Sequence, residues 1–114
     1  MRLAYLTARD YDEMHRRLSW YEQVSTNLRP AKYRLARRIP CEIDLYAAPD
    51  ELVWKEHDRL GEKARELLNK INSGNEDLTH LSPAQPSFLD LKVNLLGRMI
   101  RRCTFCEWNC KVDR

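Results

Sequence analysis

Apolar residues along this 114-residue chain recur mostly every three or four positions, the period of an amphipathic helix. The clearest case is Val53, His57, Leu60, Ala64, Leu67 and Ile71, with Leu68 widening the stripe. It opens at Asp50, just after Pro49, while Lys55, Glu56, Glu62, Lys63 and Glu66 cover the other faces. Asn72-Ser73-Gly74 closes it with a glycine able to take a positive φ. A second strong pattern starts at Ser87, an N-cap with Asp90 in the capping-box position. Leu91, Leu95 and Met99 then share a face with Phe88, Leu96 and Ile100 in support. Gly97 weakens this helix by about 1 kcal/mol relative to alanine, and close packing against a neighbour would account for it.

The N-terminal half is less regular. Residues 3–7 read equally as a short strand or a plain lead-in. Asp10 with Glu13 reads as a capping box for a helix over 11–27, in which Met14, Leu18, Tyr21 and Leu28 recur near helical spacing with Val24 bridging them. Pro30 suits the first turn of a shorter helix in which Leu35 and Ile39 share a face, and Pro40 stops it. Cys41, Ile43, Leu45 and Ala47 alternate with Glu42, Asp44 and Tyr46, a period of two that argues for a short extended segment. Residues 75–86, with Pro83 and Pro86, read as a linker. The expected fold is all-α: a small bundle of three to four helices around one core. It carries a Cys-rich C-terminal tail, exposed from about Cys103, and the alternative element is a short strand or hairpin over 41–47. The expected organisation is a helical region over 1–86, ending in the linker, followed by a helix and thiol run over 87–114.

Composition narrows the setting. No apolar run approaches the roughly 20 residues a spanning helix needs. The N-terminus has too short an apolar stretch for a signal peptide, so a cytoplasmic chain without a membrane partner is expected. The net charge of +3 implies no partner by itself. Between Glu22 and Glu42, however, Arg29, Lys32, Arg34, Arg37 and Arg38 stand with no acid among them. A solvated helix face is the plain reading. Only Tyr33 interleaves an aromatic, so a nucleic-acid stacking surface has little support.

Three of the four cysteines fall close together near the end of the chain, as Cys103-Thr104-Phe105-Cys106-Glu107-Trp108-Asn109-Cys110. Cys41 lies far away and reads as a small buried apolar residue rather than a ligand. His57, on the apolar stripe, reads as a core histidine and His80 as loop surface. A bunched set is unlike a spread disulfide framework. Closely spaced thiolates suit a soft metal or an iron–sulfur cluster. Positions 88, 91, 95, 99, 103, 106 and 110 also continue one helical stripe, so packing along a long helix is the competing explanation. Thr104, Phe105, Trp108 and Asn109 are mediocre helix formers, which weighs against it. Arg98, Arg101, Arg102, Lys111 and Arg114 surround the run and would favour thiolate over thiol. Cys103, Cys106 and Cys110 are therefore the candidate cofactor-binding and metal-ligating residues. The cofactor is an iron–sulfur cluster or, alternatively, zinc, which would demand a fourth ligand.

The helix beginning Ser87-Phe88-Leu89-Asp90-Leu91-Lys92, followed by Arg101-Arg102-Cys103-Thr104-Phe105-Cys106-Glu107-Trp108-Asn109-Cys110-Lys111-Val112-Asp113-Arg114, resembles the stretch before the catalytic barrel in radical SAM proteins related to pyruvate formate-lyase activating enzyme. Their pattern there is a helix and then Cys-x2-Cys-x3-Cys-Gly-Val-x-Arg. Val112 and Arg114 fit its tail, and Lys111 replaces the glycine. The resemblance implies an N-terminal portion of such a protein, with Cys103, Cys106 and Cys110 as ligands of an auxiliary or structural site. The Cys-x3-Cys-x2-Cys motif that holds the cluster cleaving S-adenosylmethionine is absent from this sequence. The resemblance thus implies a chain that is not catalytically competent alone, with S-adenosylmethionine belonging to a full-length parent. The implied partner is a downstream radical SAM domain or a second polypeptide carrying it. A zinc-binding helical adaptor and a basic interaction module are the alternatives.

Overall fold

The computed structural model describes residues 7–113; the expectation for 3–7 therefore falls almost wholly outside the described residues, as does Arg114. The fold is all-α, with five α-helices and, among the described residues, no strand. The chain divides into two compact units, residues 1–31 and 32–114.

In the first unit, α1 spans Ala8–Arg17 and α2 spans Ser19–Ser25. The expected single helix over 11–27 is broken at Leu18, whose φ and ψ of −99° and 16° leave the helical well. The cap is also displaced from Asp10. Thr7 Oγ1 accepts from the Asp10 backbone N–H at 3.2 Å, and Asp10 Oδ2 accepts from the Thr7 N–H at 2.7 Å. Glu13 is left to pair with Arg16 and with Arg17 Nε at 2.7 Å. α2 ends in a Schellman arrangement: Asn27 sits at φ 62°, its N–H bonds Val24 O, and the Leu28 N–H reaches Gln23 O at 2.8 Å. Neither helix contains a buried residue, and Met14, Leu18, Tyr21 and Leu28 all stay exposed rather than forming a core face.

The second unit holds the core. Short α3 (Lys32–Ala36) buries Leu35 and Ala36. It ends earlier than its sequence pattern suggests, and Ile39 enters the core from the bent stretch that follows it. That stretch is held by main-chain pairing: Ala84 N–H to Arg37 O, Phe88 N–H to Ile39 O and Cys41 N–H to Pro86 O, all within 2.8–2.9 Å. The pairing amounts to a single antiparallel bridge, Pro40 with Ser87, so the strand or hairpin considered for 41–47 does not form. The alternation there is real only in burial. Cys41 and Leu45 point inward and Tyr46 is 97% exposed, but Asp44 Oδ1 then takes the Tyr46 N–H and turns the chain.

α4 (Asp50–Asn72) starts after Pro49 and closes as the sequence suggests, with Gly74 at φ 79° and the Asn75 N–H on Lys70 O. The linker holds a single 3-10 turn at Leu78–His80, whose Leu78 is buried. α5 (Phe88–Ile100) carries the expected box: Asp90 N–H to Ser87 Oγ at 3.3 Å and Ser87 N–H to Asp90 Oδ2 at 2.7 Å. Val53 and Leu60 of α4 join Leu91 and Leu95 of α5 in one cluster with Ile39, Cys41, Leu45 and Phe88. Cys41 is thus a buried core residue, as expected. Gly97 has no close neighbour; a Cβ there would meet nothing within 4 Å, so packing does not explain it.

Glu56 departs from the solvent-facing role its position suggests. It is 7% exposed. Arg59 donates to its carboxylate through Nε at 2.8 Å and Nη2 at 2.5 Å, and also reaches Glu42 at 3.3 Å. The Arg59 guanidinium holds the Glu56 carboxyl below its ordinary value against the opposing effect of burial, with help from the Glu42 backbone. No helix among the described residues is long and apolar enough to cross a membrane.

Candidate metal-ligating loop

α5 delivers the chain to the thiol run and stops at Ile100, with the Arg102 N–H bonding back to Met99 O. The helical stripe through 103, 106 and 110 is therefore not realised. The chain turns at Arg101-Arg102, ahead of the weak helix formers Thr104 and Phe105. Two main-chain hydrogen bonds close the loop. Cys103 N–H donates to Val112 O at 3.0 Å, and Lys111 N–H donates to Cys103 O at 2.8 Å. At the tip, Asn109 N–H donates to Cys106 O at 3.0 Å. Asn109 and Lys111 take φ of 45° and 55°, the left-handed region that glycine occupies most easily. The chain therefore reverses after Cys110 with lysine, rather than glycine, at position 111.

Within this loop Cys103 is buried, while Cys106 and Cys110 are exposed. The expectation of an exposed tail beginning at Cys103 is corrected in that detail: Cys103 anchors the loop base, and the exposed part begins beyond it. Phe105 and Trp108 also face outward, Trp108 at 88%.

The donor chemistry suits a soft metal, but the arrangement is not a finished site. Among the described residues no group of three or more His, Cys, Asp and Glu side chains is placed to hold a metal ion. Ligation by all three thiolates would need the 104–110 tip to rearrange over a base that can stay paired, so metal affinity and loop folding would be coupled.

The basic neighbourhood is thinner than the sequence suggests. Arg98 is turned away from the thiols. Its Nη1 donates to Ala48 O and Asp50 Oδ1, its Nη2 to Leu45 O and its Nε to Asn94 Oδ1, each at 2.8 Å. It pins the segment leading into α4. Arg101 and Arg102 are exposed beside the loop, as is Lys111.

The histidines lie elsewhere. His15 pairs with Glu22 at 3.1 Å in the first unit, and His80 is exposed in the 3-10 turn. His57 is only partly buried, between the rings of Trp54 and Phe88 at centroid distances of 5.6 and 5.3 Å. Its Nε2 accepts from Lys92 Nζ at 3.1 Å, a contact that periodicity did not reveal. The nearest signal was the small pair Gly61 and Ala64, one and two turns beyond His57, which leaves room beside the ring.

No family model matches the chain. No solved structure matches it either. The chain is similar to Uncharacterized protein MJ0674 of Methanocaldococcus jannaschii, with 34% identity over 98 residues. The match takes in 86% of this chain but 27% of that relative, so the chain spans about a quarter of its length.

Proposed function

We propose that this chain is the helical N-terminal region of a longer radical SAM-type iron–sulfur protein. In this reading Cys103, Cys106 and Cys110 ligate an iron–sulfur cluster, and a downstream domain or second polypeptide completes the site. The observation that carries the reading is the closed loop: hydrogen bonds between Cys103 and Lys111–Val112 keep three thiols on one short tether, with two of them presented to solvent. The greater length of the Methanocaldococcus jannaschii relative is consistent with it. The thiols call for a reducing setting, which the cytoplasm provides. By itself the chain supplies thiolates and a scaffold, and no group for cleaving S-adenosylmethionine.

Anaerobic reconstitution with iron and sulfide tests this. The expected outcome is a coloured protein with thiolate-to-iron absorption, which Cys106→Ala and Cys110→Ala each abolish and Cys41→Ala retains. Retention of about one zinc per chain or per dimer, lost in Cys106→Ala, would instead establish the zinc adaptor. A protein that takes up neither metal would overturn both.

A further inference from the structure

A separate cavity of about 280 Å³ opens between α3, α4 and α5, within the second unit. Its floor is apolar: Leu35, Ala36, Gly61, Ala64 and Phe88 line it. The small residues make the space, since a Cβ on Gly61 would meet nothing within 4 Å. Lys32, His57, Arg65 and Lys92 also line the cavity, and they differ in what they have left to offer.

Arg65 Nη1 contacts both carboxylate oxygens of Glu62 at 2.9 Å, so its charge is matched locally. Lys32 and Lys92 make no ion pair among the described residues. The Lys92 ammonium is held in place. It donates to His57 Nε2 at 3.1 Å and lies 4.4 Å from the centroid of the Phe88 ring. His57 Nδ1 lies 3.4 Å from Asp58 Oδ1, which favours the proton on Nδ1 and leaves Nε2 as acceptor. The Lys92 ammonium, without a carboxylate partner, is thus oriented by an imidazole and a ring face beside an apolar hollow that Lys32 also lines.

We propose that this cavity binds a small organic carboxylate with an apolar body. The body fills the space beside Phe88 and Gly61, and the carboxylate meets Lys92. The volume lies just below the ~300–1,000 Å³ typical of ligand sites, which suits a molecule of roughly ten non-hydrogen atoms. A carboxylate would offset the Lys92 charge, and the apolar floor would exclude a bare inorganic anion.

Benzoate is the probe, titrated into the full chain and followed by amide shifts. Saturable shifts localised to Gly61, Ala64 and Phe88 are expected, at a dissociation constant on the order of millimolar. Benzyl alcohol, with the same body and no charge, should bind about tenfold more weakly, the worth of one charge-assisted hydrogen bond. Lys92→Gln should erase that difference while leaving benzyl alcohol unaffected. Gly61→Leu should abolish binding with helical circular dichroism intact. Replacing Cys103, Cys106 and Cys110 by serine should leave benzoate binding unchanged, which separates this site from the thiol loop. An absence of saturable shifts, an equal response to benzyl alcohol, or equal binding of inorganic phosphate would each overturn the proposal.

Discussion

Lys111 donates its backbone N–H to the carbonyl of Cys103 at 2.8 Å while holding φ at 55°. The hydrogen bond and the left-handed backbone belong together, because the chain must reverse immediately after Cys110 to bring the two residues into register. A side chain at such a φ costs about 1 kcal/mol that glycine does not. Lys111→Gly should therefore tighten the loop. Amide exchange at Cys103 and Lys111 should slow about fivefold, the equivalent of roughly 1 kcal/mol. Faster exchange would mean that the lysine side chain supports the turn.

Glu56 provides a pH-dependent test. Its folded carboxyl lies below the ordinary 4.5, first because of the Arg59 hydrogen bonds. A depressed carboxylate contributes stability that is present above the unfolded value and lost as the pH falls through the folded one. Glu56→Gln should cost about 1–2 kcal/mol at neutral pH, as for loss of a charged hydrogen bond. The gap between wild type and variant in urea denaturation should close as the pH drops below 4.5. A gap that persists into acid would place the effect in packing.

The glycines should respond in opposite directions. At Gly97 an added methyl meets nothing within 4 Å, so Gly97→Ala should stabilise α5 by about 0.5–1 kcal/mol. Gly74 holds φ at 79° in the Schellman closure of α4, so Gly74→Ala should destabilise by about 1 kcal/mol. Thermal unfolding of the two variants is the check, and a shared sign would contradict this account.

Leu91 is fully buried between α4 and α5, and truncating it leaves a cavity. Leu91→Ala should cost about 2–5 kcal/mol in chemical denaturation. Trp108, although far larger, is 88% exposed, and Trp108→Ala should change stability by about 0.5 kcal/mol or less. Comparable losses at both positions would mean that Trp108 is covered in solution.

The amino-acid sequence determined those features in which neighbouring residues interact with one another. Ser87 and Asp90 form their box, Gly74 closes α4, and the α4 and α5 stripes pack, because each depends on residues within a turn or on a period. Local signals misled where two patterns overlapped: Thr7 with Asp10 and Asp10 with Glu13 both fit a cap, and only the first is realised. Tertiary structure decided what depends on distant chain. Glu56 is buried because the Glu42 segment lies against α4 and Arg59 can reach both carboxylates. Arg98 serves Leu45, Ala48 and Asp50 rather than the thiols because α5 carries it past the start of α4. The spacing of Cys103, Cys106 and Cys110 made them candidate ligands, but the sequence pattern allowed helix or turn. The choice fell to main-chain bonds between residues eight and nine positions apart, whose formation no local propensity encodes.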